Sequence, residues 1–298
     1  QGVSSAASDV YKRQSKKSVV ILYIEHYKRR KLRQLNDLRC RRTKMEQEII
    51  SWIYEAAERI KAGLGDALKV DQKSGRTDLV TNVDKETQDF IVSKIKAFDP
   101  EAKILGEENG QDETPIDHGR VFVIDPIDGT LNFVMQQENF CIMIAVYEEG
   151  VGQLGFIYDV MRDELFWGGP KVGKVFYNNE ELSAPENKSL NQGLLGMNLA
   201  LYRKNIYHAQ EIGNQSMGVR VLGCAGLDFI AILKGTQIGY VSSLSPWDYA
   251  AGKIMMELLG MLTCGADQKP LSFKGREFFI GATQAAMQEI QAFDEEKN

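Results

Sequence analysis

Apolar residues recur at helical spacing near the front of the chain. In EQEIISWIYEAAERIKAGL, Ile49, Ile50, Ile53, Ala56, Ala57 and Ile60 share one face. That pattern predicts a helix from about Met45, ended by Gly63 and Gly65. KSGRTDLVTNVD (73–84) interrupts the periodicity and reads as a polar, turn-forming stretch. KETQDFIVSKIKAF predicts a second amphipathic helix, stopped by Asp99-Pro100, and KILGEENG a short strand running into a turn. VFVIDP, FCIMIAVYEEG, VGQLGFIYDV, ELFWGG and KVFYNN then follow one another as strands with glycine or acidic turns between them, the signature of an antiparallel sheet.

The rhythm changes after about residue 185. GLLGMNLA, GVRVLG, IGYVSSL, MLTCGA and FFIGA read as strands. They alternate with helices over roughly 204–216, GLDFIAILKG, PWDYAAGKIMMELLG and TQAAMQEIQAF. Strands alternating with helices imply an α/β unit. The expected organisation is an α+β domain over 45–184 followed by an α/β domain over 185–298, with no internal repeat.

Composition refines this picture at the N-terminus. The chain has 298 residues, 43% hydrophobic and 26% charged, with length for roughly two domains. Its net charge of −5 is uneven: residues 1–44 carry 13 Lys/Arg against 3 Asp/Glu, a net of +10, leaving −15 on the rest. A basic arm for nucleic acid or membrane and an Arg-rich transit peptide are two readings of that segment. A third is favoured. SSAASDVYKRQ resembles a translated sequencing-adaptor string and MEQEII a natural start, so residues 1–44 are expected to be extraneous or disordered. The acidic remainder argues against a nucleic-acid partner. No apolar stretch is long enough to span a membrane. The four cysteines are scattered, as expected of reduced thiols in a cytoplasmic protein.

The candidate chemistry centres on VFVIDPIDGTLNFV (121–134). Asp125 and Asp128 arrive at the end of a buried strand, with the Ile127 carbonyl between them and a proline stiffening the turn. Two carboxylates and a carbonyl are hard oxygen ligands of the kind Mg²⁺ favours. A solvated Asp-rich turn is the bland alternative for six residues alone. Next to them Gly129 and Thr130 open a predicted helix whose free N–H groups suit an anion. Glu107 and Glu108 end an apolar strand, Asp248 follows a tryptophan at a helix start, and Asp84 precedes a helix that it would by default cap. Aspartyl-phosphate phosphatases place their two acids as Asp-x-Asp. The Asp-x-x-Asp spacing here argues for direct attack by water.

KSGRTDLVTNVD, GEEN, DPIDGTLNFV and SPWDYAAG occur in the order and approximate spacing of the inositol monophosphatase family, and the resemblance runs from about residue 45 to the end. It implies the layered α/β/α/β/α sandwich of the inositol monophosphatase/fructose-1,6-bisphosphatase type. It also implies a Mg²⁺-dependent, lithium-sensitive phosphatase of a small phosphorylated metabolite, commonly a homodimer. Glu107, Asp125, the Ile127 carbonyl, Asp128 and Asp248 match the family's ligands for two or three Mg²⁺. Thr130, with Asp84 and Glu107, matches the groups that orient and deprotonate the attacking water. Asp128, Gly129, Thr130 and Asp248, with Gly223, Cys224 and Ala225 of the LGCAG loop, match phosphate and substrate contacts, and Lys73 a lysine near the site. Phosphatases of 3′-phosphoadenosine, sugar bisphosphates or NADP(H) are alternatives within the superfamily. A binding module that keeps the fold is disfavoured because every ligand position is filled. Val241 stands where animal members carry an acid that binds substrate hydroxyls, so broad selectivity is expected.

Overall fold

The computed structural model describes residues 43–64, 70–75, 78–108, 110 and 112–295. The expectation of an extraneous arm falls almost wholly on residues 1–42, outside the described ones. The chain divides into two compact units, residues 1–51 and 52–298. The described part of the first is the opening of helix α1 (Lys44–Ala62), whose second half belongs to the larger unit.

The larger unit begins with a hairpin of β1 (Val70–Gly75) and β2 (Asp78–Thr81), followed by α2 (Asn82–Phe98). A seven-stranded sheet follows in chain order: β3 (Lys103–Gly106), β4 (Arg120–Asp128), β5 (Cys141–Glu148), β6 (Val151–Asp159), β7 (Glu164–Gly169), β8 (Lys174–Tyr177) and β9 (Glu180–Glu181). β3 pairs parallel to β4, and every later pair is antiparallel. The short helix α3 (Thr130–Gln136) joins β4 to β5. A second sheet is built from β10 (Leu194–Met197), β11 (Gly218–Arg220), β12 (Gly239–Leu244), β13 (Leu262–Cys264) and β14 (Glu277–Ala282), in the order β11-β10-β12-β14-β13. Its helices are α4 (Leu199–Lys204), α5 (Ala209–Gln215), α6 (Ala225–Leu233), α7 (Pro246–Leu258) and α8 (Gln284–Glu295).

Side-chain alternation sets the layers. Val121 and Val123 of β4 face a core shared with Phe229 of α6, Tyr249 and Met255 of α7, and Tyr240 and Phe279 of the second sheet. Helices α6 and α7 therefore lie between the two sheets, and α7 is buried almost all round. The intervening Phe122 and Ile124 are also fully buried, and α2 packs against β4. Val241 and Ile280 of the second sheet face a separate core with Leu201, Ile212 and Met287 from α4, α5 and α8. Close approach fixes α7 on the first sheet: a Cβ on Gly155 of β6 would come within 2.4 Å of the Ala251 carbonyl oxygen. Among the described residues no helix is long and apolar enough to cross a membrane.

Two local expectations change. The polar stretch 73–84 is largely a hairpin, because backbone pairing between β1 and β2 does not need an apolar pattern. The single helix expected over 204–216 is broken. Asn205, Tyr207 and His208 take left-handed backbone angles and separate α4 from α5.

Candidate active site

The acids of DPIDGT sit where β4 leaves its sheet. Asp125 pairs with Met143 and Asp128 with Cys141, so three steps along β4 oppose two along β5. This irregularity re-aims the strand end. The Ile127 N–H donates to Asp125 Oδ1 at 3.1 Å, curling the turn around the carboxylate. Gly129 follows with φ of 90°, and a Cβ there would lie 3.0 Å from Cys224 Cβ. Glycine is thus required both by conformation and by the approach of the 222–226 loop.

Two further acids arrive by one device. Asp84 and Asp248 each stand at the third position of a helix, in Thr81-Asn-Val-Asp and Ser245-Pro-Trp-Asp. Neither is the N-cap; each is the acid of a capping box whose carboxylate accepts the cap residue's N–H at 2.8 Å. The other oxygen of Asp84, Oδ1, lies 3.1 Å from Thr130 Oγ1, which is also 3.1 Å from the Ile127 carbonyl oxygen. One hydroxyl proton serves one of these acceptors at a time.

Glu107 and Glu108 follow β3. The Glu107 N–H donates to the Ile124 carbonyl at 3.3 Å, extending the pairing with β4. Glu108 is buried, its backbone clamped by Gln88: the Glu108 N–H donates to Gln88 Oε1 at 3.0 Å, and Gln88 Nε2 donates to the Glu108 carbonyl. Asp128 is met from the opposite side by the start of α6. Its carboxylate accepts the Ala225 N–H at 3.1 Å, the Gly226 N–H, and the Cys224 thiol at 3.0 Å. Asn132 Nδ2 ties α3 to the same loop by donating to the Leu222 carbonyl at 3.0 Å, and it also donates to the Asn139 carbonyl just before β5 at 3.0 Å.

These acids form one electrostatic community. Burial raises Asp125 well above the usual carboxylate range, and Glu107, Asp128, Asp248 and Asp84 push it further. Asp128 is raised by burial against its bonds to Cys224, Gly226 and Ala225. Asp84 is raised by burial against its bonds to Thr81 and Thr130. Asp125 thus feels Glu107 and the three other aspartates, and all four aspartates are buried. Such a cluster is costly without a cation, and its oxygen donors fit a hard divalent metal. Among the described residues, however, the group whose donor atoms all lie within 4.8 Å of one another is Asp128, Cys141 and Cys224. The thiols there are held neutral, Cys141 pushed up to about 11 and Cys224 well above its ordinary value, both mainly by burial. A hard cation is therefore better served by the carboxylates, which stand further apart, as like charges do.

A model described as the inositol monophosphatase family matches residues 42–297. The chain belongs to the inositol monophosphatase family. The inositol-1-monophosphatase of Bacillus subtilis (strain 168) is 36% identical over 237 residues, 78% of this chain and 89% of that protein. Among solved structures, inositol monophosphate-bound SaIMPase-II superposes with a TM-score of 0.74 at 32% identity, covering 84% of this chain and 93% of that one. An IMPase/NADP phosphatase complexed with Mg²⁺ and phosphate gives 0.76 at 27%, covering 84% and 94%. Membership makes the chain a phosphoric monoester hydrolase with the layered family fold.

Within that frame some expected residues behave differently. Val241 is fully buried in the outer core, paired with Met197 and Ile280. It does not line the site, and Val241→Glu would bury a charge. The Ala225 N–H and Cys224 thiol are turned to Asp128. Lys73 lies on β1, and its side chain is outside the described structure. A cavity of about 790 Å³ lies at the far end of α7, lined by Tyr147, Ile254, Leu258, Leu271 and Phe273, and holds none of the candidate residues. Sequence reasoning missed Gln88, Asn132 and Arg276. The last lies 3.6 Å from Asp248 through its guanidinium. None of the three carries a local sequence signal, since the partners Glu108, Leu222 and Asp248 that tie them to the site lie 20 or more residues away.

Proposed function

We propose that this family member hydrolyses small phosphomonoesters of the inositol monophosphate kind with Mg²⁺, by direct attack of water and without a phosphoenzyme. The observation that carries this reading is the community of buried carboxylates whose charge is raised in cost by burial and by one another. Glu107, Asp125, Asp128, Asp248 and the Ile127 carbonyl would hold two or three Mg²⁺. Bound there, the ions supply charge neutralisation, polarise the phosphate and acidify water. Residues 45–184 would bring most of these ligands, and 185–298 Asp248 and the 222–226 loop.

The chain's own contribution is positioning and proton handling. Thr130 Oγ1 donates to Asp84 Oδ1, which leaves the hydroxyl's lone pairs to accept a proton from the attacking water. Asp84, lifted by burial, is suited to receive the Thr130 proton in turn. Glu107 helps orient that water. Gly129 and Thr130 N–H groups face the phosphate. The cytoplasm, a homodimer and lithium inhibition follow from the same family reading.

Phosphate release from a panel of phosphomonoesters, with and without Mg²⁺, tests the proposal. Release that requires Mg²⁺ is expected. Equal release after exhaustive chelation would overturn it. A second readout is thermal: Mg²⁺ should raise Tm, and by less as the pH falls and protons compete with the ion for carboxylates whose pKa is raised.

A further inference from the structure

Two cysteines meet beside Asp128. Cys141 opens β5 as the register partner of Asp128, and Cys224 immediately precedes α6. Both are buried free thiols. Their two sulfurs and a carboxylate oxygen of Asp128 all lie within 4.8 Å of one another. The backbone fixes this meeting. Pairing of β4 with β5 sets Cys141 against Asp128, and the N–H groups of Ala225 and Gly226 hold the Asp128 carboxylate against the start of α6. A Cβ on Gly226 would stand 3.0 Å from Asp128 Oδ2 and 3.1 Å from Cys141 Sγ, so the absence of a side chain there lets α6 complete the group.

These donors suit a hard cation poorly, and a soft one well. Two sulfurs with one carboxylate are a set that Zn²⁺ and Cd²⁺ favour and Mg²⁺ does not. A tetrahedral ion with bonds of about 2.0–2.3 Å keeps its donors roughly 3.5–3.8 Å apart. Cys224 Sγ stands 3.0 Å from Asp128 Oδ2, and the group spans no more than 4.8 Å, so seating an ion asks for shifts of about 1 Å at most. The Asp128 carbonyl oxygen, 3.5 Å from Cys224 Sγ, is a fourth donor at hand. Each thiol gives its proton to solvent as the ion binds, and the ion gains two thiolate bonds and one carboxylate bond.

Asp128 is the shared element. Its Oδ2 accepts the Cys224 thiol and the Gly226 N–H, and its Oδ1 the Ala225 N–H. An ion bonded to both sulfurs takes Oδ2 in place of the thiol proton. The carboxylate charge it draws is then lost to a Mg²⁺ ion held by the same residue. Cys264 provides an internal control. It belongs to the outer core, with its sulfur 3.9 Å from Met287 Sδ, and is not part of this group.

We propose that Asp128, Cys141 and Cys224 form a separate site for a thiophilic divalent cation such as Zn²⁺, and that filling it inhibits the Mg²⁺-dependent reaction by engaging Asp128. The inhibition rests on the phosphatase reading above; the site does not. Cd²⁺, whose bonds to thiolates give an ultraviolet charge-transfer band, is titrated without Mg²⁺ into a full-length Cys40→Ser parent, so that only the three described cysteines respond. One ion per chain should bind and produce the band. Cys141→Ala and Cys224→Ala should each weaken that binding about tenfold or more, and Cys264→Ala should leave it in place. No band in the parent, or an unchanged titration in both Cys141→Ala and Cys224→Ala, would overturn the site. Co²⁺ on the parent gives a reading that needs no further variant. Intense visible absorption with sulfur charge transfer marks a tetrahedral thiolate site, and the weak bands of an octahedral all-oxygen site would overturn the proposal. For inhibition, phosphate release at fixed Mg²⁺ is titrated with Zn²⁺, each protein against its own Zn²⁺-free rate. The inhibitory midpoint should rise about tenfold or more in Cys141→Ala, and an unchanged midpoint would overturn the inhibitory role. If the parent releases phosphate from no ester, the phosphatase reading falls, and the Cd²⁺ and Co²⁺ spectra still decide the site.

Discussion

The capping boxes at Thr81–Asp84 and Ser245–Asp248 are one local device used twice, to opposite ends. Each commits carboxylate oxygen to the backbone of its own helix start and presents the acid toward the site. Asp84 is 1% exposed and addresses a neutral hydroxyl, Thr130. Asp248 is nearer the surface and faces a guanidinium, Arg276. Capping fixes direction, and on the roles proposed above the neighbour fixes use: proton handling at the buried end, cation holding at the open end.

The comparison breaks most visibly at Asp84. Asp84→Asn keeps an oxygen for the Thr81 N–H and removes the base. On the assigned role, kcat should fall by about 10²–10⁴ with the fold retained. A fall of less than tenfold at saturating Mg²⁺ and substrate would remove Asp84 from proton handling. Asp248→Asn probes the other end. There the Mg²⁺ titration should move to higher concentration by about tenfold or more, and the Tm gain on adding Mg²⁺ should shrink. If the midpoint stays in place while kcat alone drops, the two acids share one role and the contrast fails.

A third buried acid sharpens the contrast because it belongs to neither box. Asp228 on α6 is 1% exposed and accepts from Gln237 Nε2 at 2.9 Å. Burial chiefly, with Asp128 adding to it, lifts it from 3.8 to about 7. A raised acid stabilises the fold fully below its unfolded value near 3.8, and that contribution disappears as pH rises through 7. Between pH 6 and 8 the unaltered chain should lose about 1.4 kcal/mol relative to Asp228→Asn, by urea unfolding without Mg²⁺. The buried Gln237 Oε1, which has no hydrogen-bond partner, offers an acceptor to a neutral side chain there. Parallel pH profiles for the two proteins would show Asp228 to be ionised throughout.

How much of this was legible beforehand follows from the range of the interactions. The strand end at DPIDGT and the helix start at SPWD carry their signals within a few residues, and both lie where the sequence places them. The boxes themselves were readable as Thr-x-x-Asp and Ser-x-x-Asp, yet a default of Asp as N-cap hid them. The break at Asn205 was not legible, because left-handed angles at Asn, Tyr and His leave no periodic trace. Val241 misled for a different reason. Its place in the chain suggested a site residue, whereas strand alternation turns it into the outer core beside Ile280. Gln88 and Arg276 act across 20 and 28 residues, and only the fold brings their partners to them.

The smallest effect separates the two boxes at their caps. The Thr81 hydroxyl accepts the N–H groups of Val83 at 3.1 Å and Asp84 at 3.4 Å, and bonds the Asp84 carboxylate as well. At the second box, Pro246 occupies the first helical position and the Asp248 N–H donates to the Ser245 backbone carbonyl at 3.0 Å, a bond that survives loss of the side chain. Thr81→Ala should therefore cost about 1 kcal/mol in urea unfolding, and Ser245→Ala less. Thr81→Ala also frees one oxygen of Asp84 from its nearest hydroxyl, so kcat should drop severalfold in that variant and hold in Ser245→Ala. Equal stability losses with unchanged kcat in both would mean that the caps build the helices without tuning the acids, and that the difference between the two ends of the site arises entirely from Thr130 and Arg276.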